Sequence, residues 1–143
     1  MQPNAVDLRL GKVYWISSNT FLIDEERKIH RGTVEILPKE DGYYHLEPGH
    51  YEVLMQNKMT VGDNEAGWVI TRSTLNRNGV FITSGLYDTG YSGIMAGVLH
   101  VTIGPMKIAP GTRIGQNLTF DAQALHKYDS GCWDGKEHDE KYK

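Results

Sequence analysis

Two arginines, several hydroxyls, an acid and a tyrosine crowd into the glycine-punctuated stretch 71–93, and their types and spacing suit a small charged molecule. Arg72 and Arg77 flank Ser73 in a segment that leaves the apolar run Gly67-Trp-Val-Ile70 and closes at Gly79. That pattern predicts a single helical turn with Ser73 near its N-cap, because a hydroxyl satisfies free N–H groups and a glycine ends the turn. Free N–H groups beside a guanidinium fork suit a phosphate. Val80-Phe-Ile82 then reads as a strand, and Thr83-Ser-Gly-Leu-Tyr-Asp-Thr-Gly90 as a tight hairpin that carries Asp88 and Tyr91 toward whatever the first turn binds. An acid able to take a proton from water, an aromatic platform and an anion cradle together point to a nucleotide.

The elements that must position these groups are strands. Short alternating runs sit between turn signals in a chain with 16 glycines: 13–16, 33–37, 51–55, 68–70, 80–82, 97–101 and 114–120. None shows long helical periodicity, so the expected class is all-β. Asp24-Glu-Glu-Arg-Lys28 and Lys39-Glu-Asp-Gly42 read as solvated charged turns, and Glu47-Pro-Gly-His50 as a turn feeding a strand. At 143 residues the chain suits one domain, expected over 1–127, followed by a polar tail over 128–143 that is expected to be mobile or ordered only against a partner.

Composition narrows the partners. A net charge of −3 from 15 basic and 18 acidic residues gives no global field for nucleic acid, so Arg72, Arg77 and Arg113 are expected to act locally on a small anion. The single cysteine, Cys132, rules out an internal disulfide and a cysteine-rich zinc site, and the zinc-deaminase signature of HxE followed by PCxxC is absent. No apolar run approaches the ~18 residues of a membrane helix, and no secretory pattern precedes Asp7 and Arg9. The expectation is a soluble protein of the cytoplasm, or of a host's cytoplasm if viral, with no membrane partner.

Five strings resemble motifs of the trimeric dUTPase and dCTP deaminase superfamily, in sequence order. Gln2-Pro-Asn-Ala-Val-Asp-Leu-Arg-Leu-Gly11 is similar to QPASxDLRLG, and Leu46-Glu-Pro-Gly49 to LxPGE. Arg72-Ser-Thr-Leu-Asn-Arg77 resembles RSSLAR, and Gly85-Leu-Tyr-Asp-Thr-Gly-Tyr-Ser-Gly93 resembles GxIDxxYxG. Pro110-Gly-Thr-Arg-Ile-Gly-Gln116 resembles PGxRIxQ. The resemblance implies a distorted β-barrel or jelly-roll-like β-clip, assembled as a homotrimer with active sites between subunits and a tail that closes over a neighbour's site. It also implies roles. Arg72, Ser73 and Gln116 would bind phosphates, with Arg77 beside them and Arg113 as a brace. Asp88 would contact the sugar 3'-hydroxyl and orient the attacking water, and Tyr91 would lie beneath sugar and base. Ser84, Gly85 and Leu86, with the strand of Ala96, Gly97 and Val98, would read the base. Asp7 would hold water near a triphosphate-bound Mg2+, and Tyr142 would belong to the lid.

The reaction turns on one position. Deaminases of this superfamily carry a water-activating Glu ten residues after the motif Asp, and here that place is Val98, which cannot move a proton. Gly97-Val-Leu99 resembles the GVVL of dUTPases, and the connection between Leu75 and Asp88 is shorter than in deaminases. The glycine-rich GFGSTG tail of dUTPases is absent; Ser130-Gly-Cys-Trp-Asp-Gly135 is a poor echo of it. The reading is therefore a dUTPase giving dUMP and pyrophosphate. The alternatives are a dCTP deaminase, alone or bifunctional, and a dUTPase-like nucleotide-sensing regulator whose tail contacts a partner protein.

Overall fold

The described residues of the computed structural model, 5–123 and 132–133, form twelve strands and one helical turn. In chain order these are β1 (Ala5–Ile16), β2 (Leu22–Ile23), β3 (Lys28–Ile29), β4 (Thr33–Ile36), β5 (Tyr44–Leu46), β6 (Gly49–Thr60), β7 (Glu65–Thr71), α1 (Ser73–Asn76), β8 (Val80–Thr83), β9 (Ser92–Val101), β10 (Met106–Ile108), β11 (Arg113–Asp121) and β12 (Cys132–Trp133). An eight-stranded sheet runs β12-β9-β6-β1-β11-β7, with β4 joined to β1 and β8 to β9. β2–β3 and β5–β10 form two small antiparallel ribbons. No helix among the described residues is long and apolar enough to cross a membrane.

Two strands hold the sheet together by bending. β1 pairs with β11 through Ala5–Arg9 and with β6 through Leu10–Trp15, and its register shifts at Leu8/Arg9 and Leu10/Lys12. Such bulges increase local twist and let one strand serve two partners. Gly11 lies at the second shift, where an added Cβ would stand 2.8 Å from the Leu54 carbonyl oxygen.

The sheet's ends then meet. Thr71 Oγ1, at the end of β7, accepts from the Ile82 N–H at 2.9 Å and donates to the Ile82 carbonyl at 3.3 Å. Gly67 of β7 exchanges two backbone bonds of 2.8 Å with Tyr87. These contacts nearly close the sheet into a barrel, which leaves little unpaired edge. Inside, period-two alternation fills the core: on β9, Gly93, Met95, Leu99 and Val101 are buried, while Ile94, Ala96, Val98 and His100 face outward and are partly exposed. Leu8, Leu10, Val13, Val53, Met55 and Ile114 belong to the same buried interior.

Two local expectations change. The helical turn forms, but its N-cap is Arg72 rather than Ser73, with no side-chain capping bond. Arg72 is still tied to β11 by its N–H to the Ile114 carbonyl at 2.9 Å, so extended backbone persists through it and the helix starts one residue later. Gly79 closes the segment at φ +70°, as the sequence predicts. The connection from Thr83 to Ser92 is a wide loop, not a tight hairpin, because Tyr87 is drawn across to β7 before the chain turns at Asp88–Tyr91. In the tail, Cys132–Trp133 runs parallel to Ser92–Gly93 of β9. The rest of 128–143, Tyr142 included, lies outside the described residues.

Candidate nucleotide site

An anion-suited cleft opens at the ends of β1, β11 and β7. It has a volume of about 400 Å3 and is lined by Asp7, Thr71, Arg72, Ser73, Arg113, Gly115 and Gln116. The ladder brings these together: Asp7 pairs with Gln116 across β1 and β11, and Gly115 with Thr71 across β11 and β7. Arg72 Nη1 donates to the Arg113 carbonyl at 3.2 Å, which anchors a guanidinium that has five N–H donors in all. Arg113 Nη1 lies 3.5 Å from Asp7 Oδ2, a long contact that balances the acid against a second guanidinium. Gly115 is required here, since a Cβ would stand 2.5 Å from the Ile70 carbonyl oxygen. Asp7 is the one carboxylate of the cleft, and no three His, Cys, Asp or Glu side chains gather among the described residues. That donor set fits a divalent ion held mainly by phosphate oxygens and water, not a protein cage.

A second cavity, of about 500 Å3, lies against the outer faces of β6, β8 and β9 and is lined by Ile16, His30, Glu52, Thr83, Ser84, Gly85, Tyr87, Ala96, Gly97 and Val98. Its volume and mixed lining suit an aromatic ring with a polar edge. Gly97 lets β8 approach, because an added Cβ would meet the Thr83 carbonyl oxygen at 2.7 Å and Ile82 Cγ2 at 2.9 Å. Between β12 and β8, the Tyr87 hydroxyl takes up the free edge of β9: it accepts from the Ala96 N–H at 2.8 Å and donates to the Ala96 carbonyl at 2.9 Å. Burial pushes this phenol's pKa up, so it stays protonated and able to donate.

Beside the cavity runs a chain of polar groups that the sequence reading did not single out. Thr83 Oγ1 bonds His100 Nε2 at 2.8 Å, and His100 Nδ1 bonds His50 Nδ1 at 2.8 Å. The His100 ring also stacks on Phe81, with centroids 4.5 Å apart. Burial, and then the neighbouring His50, hold the His100 pKa below the ordinary histidine value.

The predicted residues thus divide. Arg72, Ser73, Gln116 and Asp7 share the first cleft, and Ser84, Gly85, Ala96, Gly97 and Val98 share the second, with no residue lining both. Arg77 is exposed at the C-cap of α1 and lines neither. Asp88 and Leu86 are exposed on the loop between Ser84 and Tyr91. Tyr91 is buried, its hydroxyl donating to the Ile94 carbonyl and its ring edge-on to Tyr87 at 4.7 Å. Within one chain, then, Asp88 and Tyr91 do not join Arg72 in a single cavity. Thr71, Gly115, Ile16, His30, Glu52, Thr83 and Tyr87 line the cavities without having been anticipated. Only the charge of Glu52 inside the apolar run Tyr51–Met55 marked any of them in the sequence.

The barrel is a β-clip. It resembles the crystal structure of 2'-deoxycytidine 5'-triphosphate deaminase from Agrobacterium tumefaciens with a TM-score of 0.63 at 20% identity, over 88% of this chain and 42% of that one. It resembles native EIAV dUTPase with a TM-score of 0.50 at 18% identity, over 85% of this chain and 98% of that one. The chain belongs to the dCTP deaminase-like family, whose model matches residues 1–122. Among curated relatives, a protein named "dCTP deaminase, dUMP-forming" from Mycolicibacterium gilvum is 32% identical over 91% of this chain and 73% of its own. A "Probable deoxyuridine 5'-triphosphate nucleotidohydrolase" from Methanococcoides burtonii is 34% identical over 65% of this chain, and the match spans 55% of that relative's length.

Proposed function

We propose that the chain is a deoxynucleoside triphosphate pyrophosphohydrolase that converts dUTP and water to dUMP and pyrophosphate. The observation that carries this reading is the pairing of an anion cleft built by Arg72, Ser73 and Gln116 with a base-sized cavity whose β9 wall holds Val98 where a deaminase would place its Glu. In this reading the triphosphate lies in the cleft, with charge-assisted bonds from Arg72 and bonds from Ser73 and Gln116. The base enters the second cavity against Ser84, Gly85 and the strand of Ala96, Gly97 and Val98, and Leu86 flanks it. Tyr91 supports the loop beneath the sugar. Asp88, exposed on that loop, orients water for attack on the α-phosphate and accepts its proton. Mg2+ near Asp7 supplies charge neutralisation on the triphosphate when bound. Arg77 serves the outer phosphates from its exposed position at the end of α1. The two cavities share no lining residue, which supports a homotrimer in which one copy's cleft serves the next copy's base cavity, with Tyr142 in the lid. The protein acts in the cytoplasm.

The Mycolicibacterium relative favours a second reading, deamination of dCTP. Incubation with Mg2+ and dUTP, dCTP or dTTP, with nucleotides, pyrophosphate and ammonia assayed separately, decides. Pyrophosphate and dUMP without ammonia supports the hydrolase. Ammonia from dCTP supports the deaminase, and binding without product leaves a nucleotide-sensing regulator.

A further inference from the structure

Three polar side chains on adjacent strands are bonded in a row that ends in the second cavity. His50 of β6 pairs directly with His100 of β9, and their Nδ1 atoms lie 2.8 Å apart. The other ring nitrogen of His100, Nε2, lies 2.8 Å from Thr83 Oγ1 on β8, and Thr83 lines the cavity. The His100 ring also stacks on Phe81, its direct partner on β8. A count of hydrogens ties the row together. A bond between two Nδ1 atoms holds one hydrogen, so one ring donates and the other accepts. If a neutral His100 donates, its Nε2 is bare and the Thr83 hydroxyl gives its proton to that atom. Both lone pairs of Oγ1 then remain for the cavity, and an oxygen that is itself donating is the stronger acceptor. If His50 donates, His100 Nε2 carries a hydrogen, one lone pair of Thr83 is spent on it, and the hydroxyl proton turns elsewhere. A proton added to the pair allows only this second arrangement, because His100 Nε2 is then protonated whichever ring bears the charge.

We propose that His100 is a positioning residue that aims the Thr83 hydroxyl as a hydrogen-bond acceptor for the ring N–H of a uracil base, and that a proton added to the His50–His100 pair weakens this contact. The N3–H of uracil is flanked on both sides by carbonyl oxygens, which repel a carboxylate and meet a neutral hydroxyl oxygen without charge repulsion. Two carbonyls near this wall are already engaged, that of Ala96 by the Tyr87 hydroxyl at 2.9 Å and that of Gly85 by Ser84 Oγ at 3.1 Å. Burial, and then His50, hold the His100 pKa below the ordinary histidine value, so this ring is neutral at neutral pH and the first arrangement is open to it. The other titratable groups around the row are Glu52 of β6, His30 after β3 and Tyr87, which line the cavity, and Tyr14 of β1, which pairs with Glu52; β8 adds none. His30 and Glu52 carry interactions of their own, so variants at His100 and Thr83 separate the row from them. The inference rests on the reading that this cavity takes the base, but not on which bond of the nucleotide is cleaved.

Two measurements on the full chain with the non-hydrolysable α,β-imido analogue of dUTP test it. Long-range 1H–15N spectra of the wild-type imidazole rings read the tautomer directly and need no variant. In the complex at about pH 8, His100 is expected to carry its hydrogen on Nδ1 and none on Nε2. Calorimetric titration from about pH 8 to about pH 5 then compares wild type with His100→Gln and Thr83→Val. Titration of the analogue's phosphates is common to all three proteins and cancels in the comparison. Wild-type affinity is expected to fall by about five- to tenfold more than that of either variant as pH drops through the folded-state pKa of His100, the range of one hydrogen bond. Thr83→Val is also expected to bind more weakly than wild type at the upper end of the range. A His100 that keeps its hydrogen on Nε2 in the complex overturns the proposal, and so does the same pH dependence in all three proteins. Failure of the base-cavity reading looks different: the analogue then binds without shifting the backbone signals of Thr83, Ala96 and Val98, and the proposal falls with that reading.

Discussion

At the scale of single residues, the two clefts depend on donors with fixed geometry. Arg72 is anchored by the Arg113 carbonyl and aims a planar fork into the anion cleft, which a lysine's point charge does not reproduce. Arg72→Lys is expected to lower kcat/KM for dUTP by about ten- to hundredfold in steady-state pyrophosphate assays. Asp88→Asn keeps the size of the side chain and removes its ability to accept a proton. On the proposed mechanism it lowers kcat by about a hundredfold or more while nucleotide binding persists, and full turnover by this variant would remove the mechanism's centre. Tyr87 is the structural counterpart. Its hydroxyl serves both polar groups of Ala96, so Tyr87→Phe strands a donor and an acceptor on β9. The expected loss is about 1–3 kcal/mol in urea unfolding.

At the scale of elements, the seam between β7 and β8 and the β8–β9 ladder decide where the cavities lie. Gly97→Ala places a Cβ against the Thr83 carbonyl oxygen and Ile82 Cγ2, and backbone cannot yield as a flexible side-chain end can. The variant is expected to push β8 away from β9, lowering the thermal midpoint and weakening nucleotide binding together, as read by scanning calorimetry and titration. Thr71 works at the other edge of β8. Its hydroxyl is the bond that ties β7 to Ile82, and it also lines the anion cleft, so closure of the barrel and shaping of that cleft are one event.

For the whole molecule, the pH dependence of stability follows from His100. Its pKa is held below the ordinary value of 6.5, chiefly by burial and then by His50, so the folded state disfavours the charged ring. The unfolded chain binds that proton more readily, which makes stability greatest above about pH 6.5 and lower as pH falls through the folded-state pKa. Thermal melts from pH 8 to pH 5 should show this decline, and His100→Gln should flatten it. Assembly is the second whole-molecule property. Trp68, Ile70 and Phe120 are each 40% or more exposed on the paired strands β7 and β11, whose Thr71 and Gly115 line the anion cleft. Sedimentation equilibrium is expected to give about three times the 16.1 kDa of one chain. A monomeric mass with full turnover would refute the shared-site arrangement.

Much of this was legible in the sequence, and for identifiable reasons. Period-two alternation reports burial directly, so the all-β class and the main strands follow from runs such as Tyr51–Met55 and Gly97–Val101. Local motifs place Arg72 and Ser73 where a strand passes into a helical turn and Gln116 near a strand start, and the β1–β11–β7 ladder then gathers them. The wide loop carrying Asp88 was not legible, because it is set by a bridge between Tyr87 and Gly67, twenty residues apart, that no local propensity encodes. Nor was Glu52. Alternation tells that its side chain points away from the core, but whether that face meets solvent or the wall of a cavity depends on which strands lie beside it. That pairing brings residues 52, 83 and 98 to one level, and it is set by the β6–β9 and β8–β9 ladders between segments far apart in the chain.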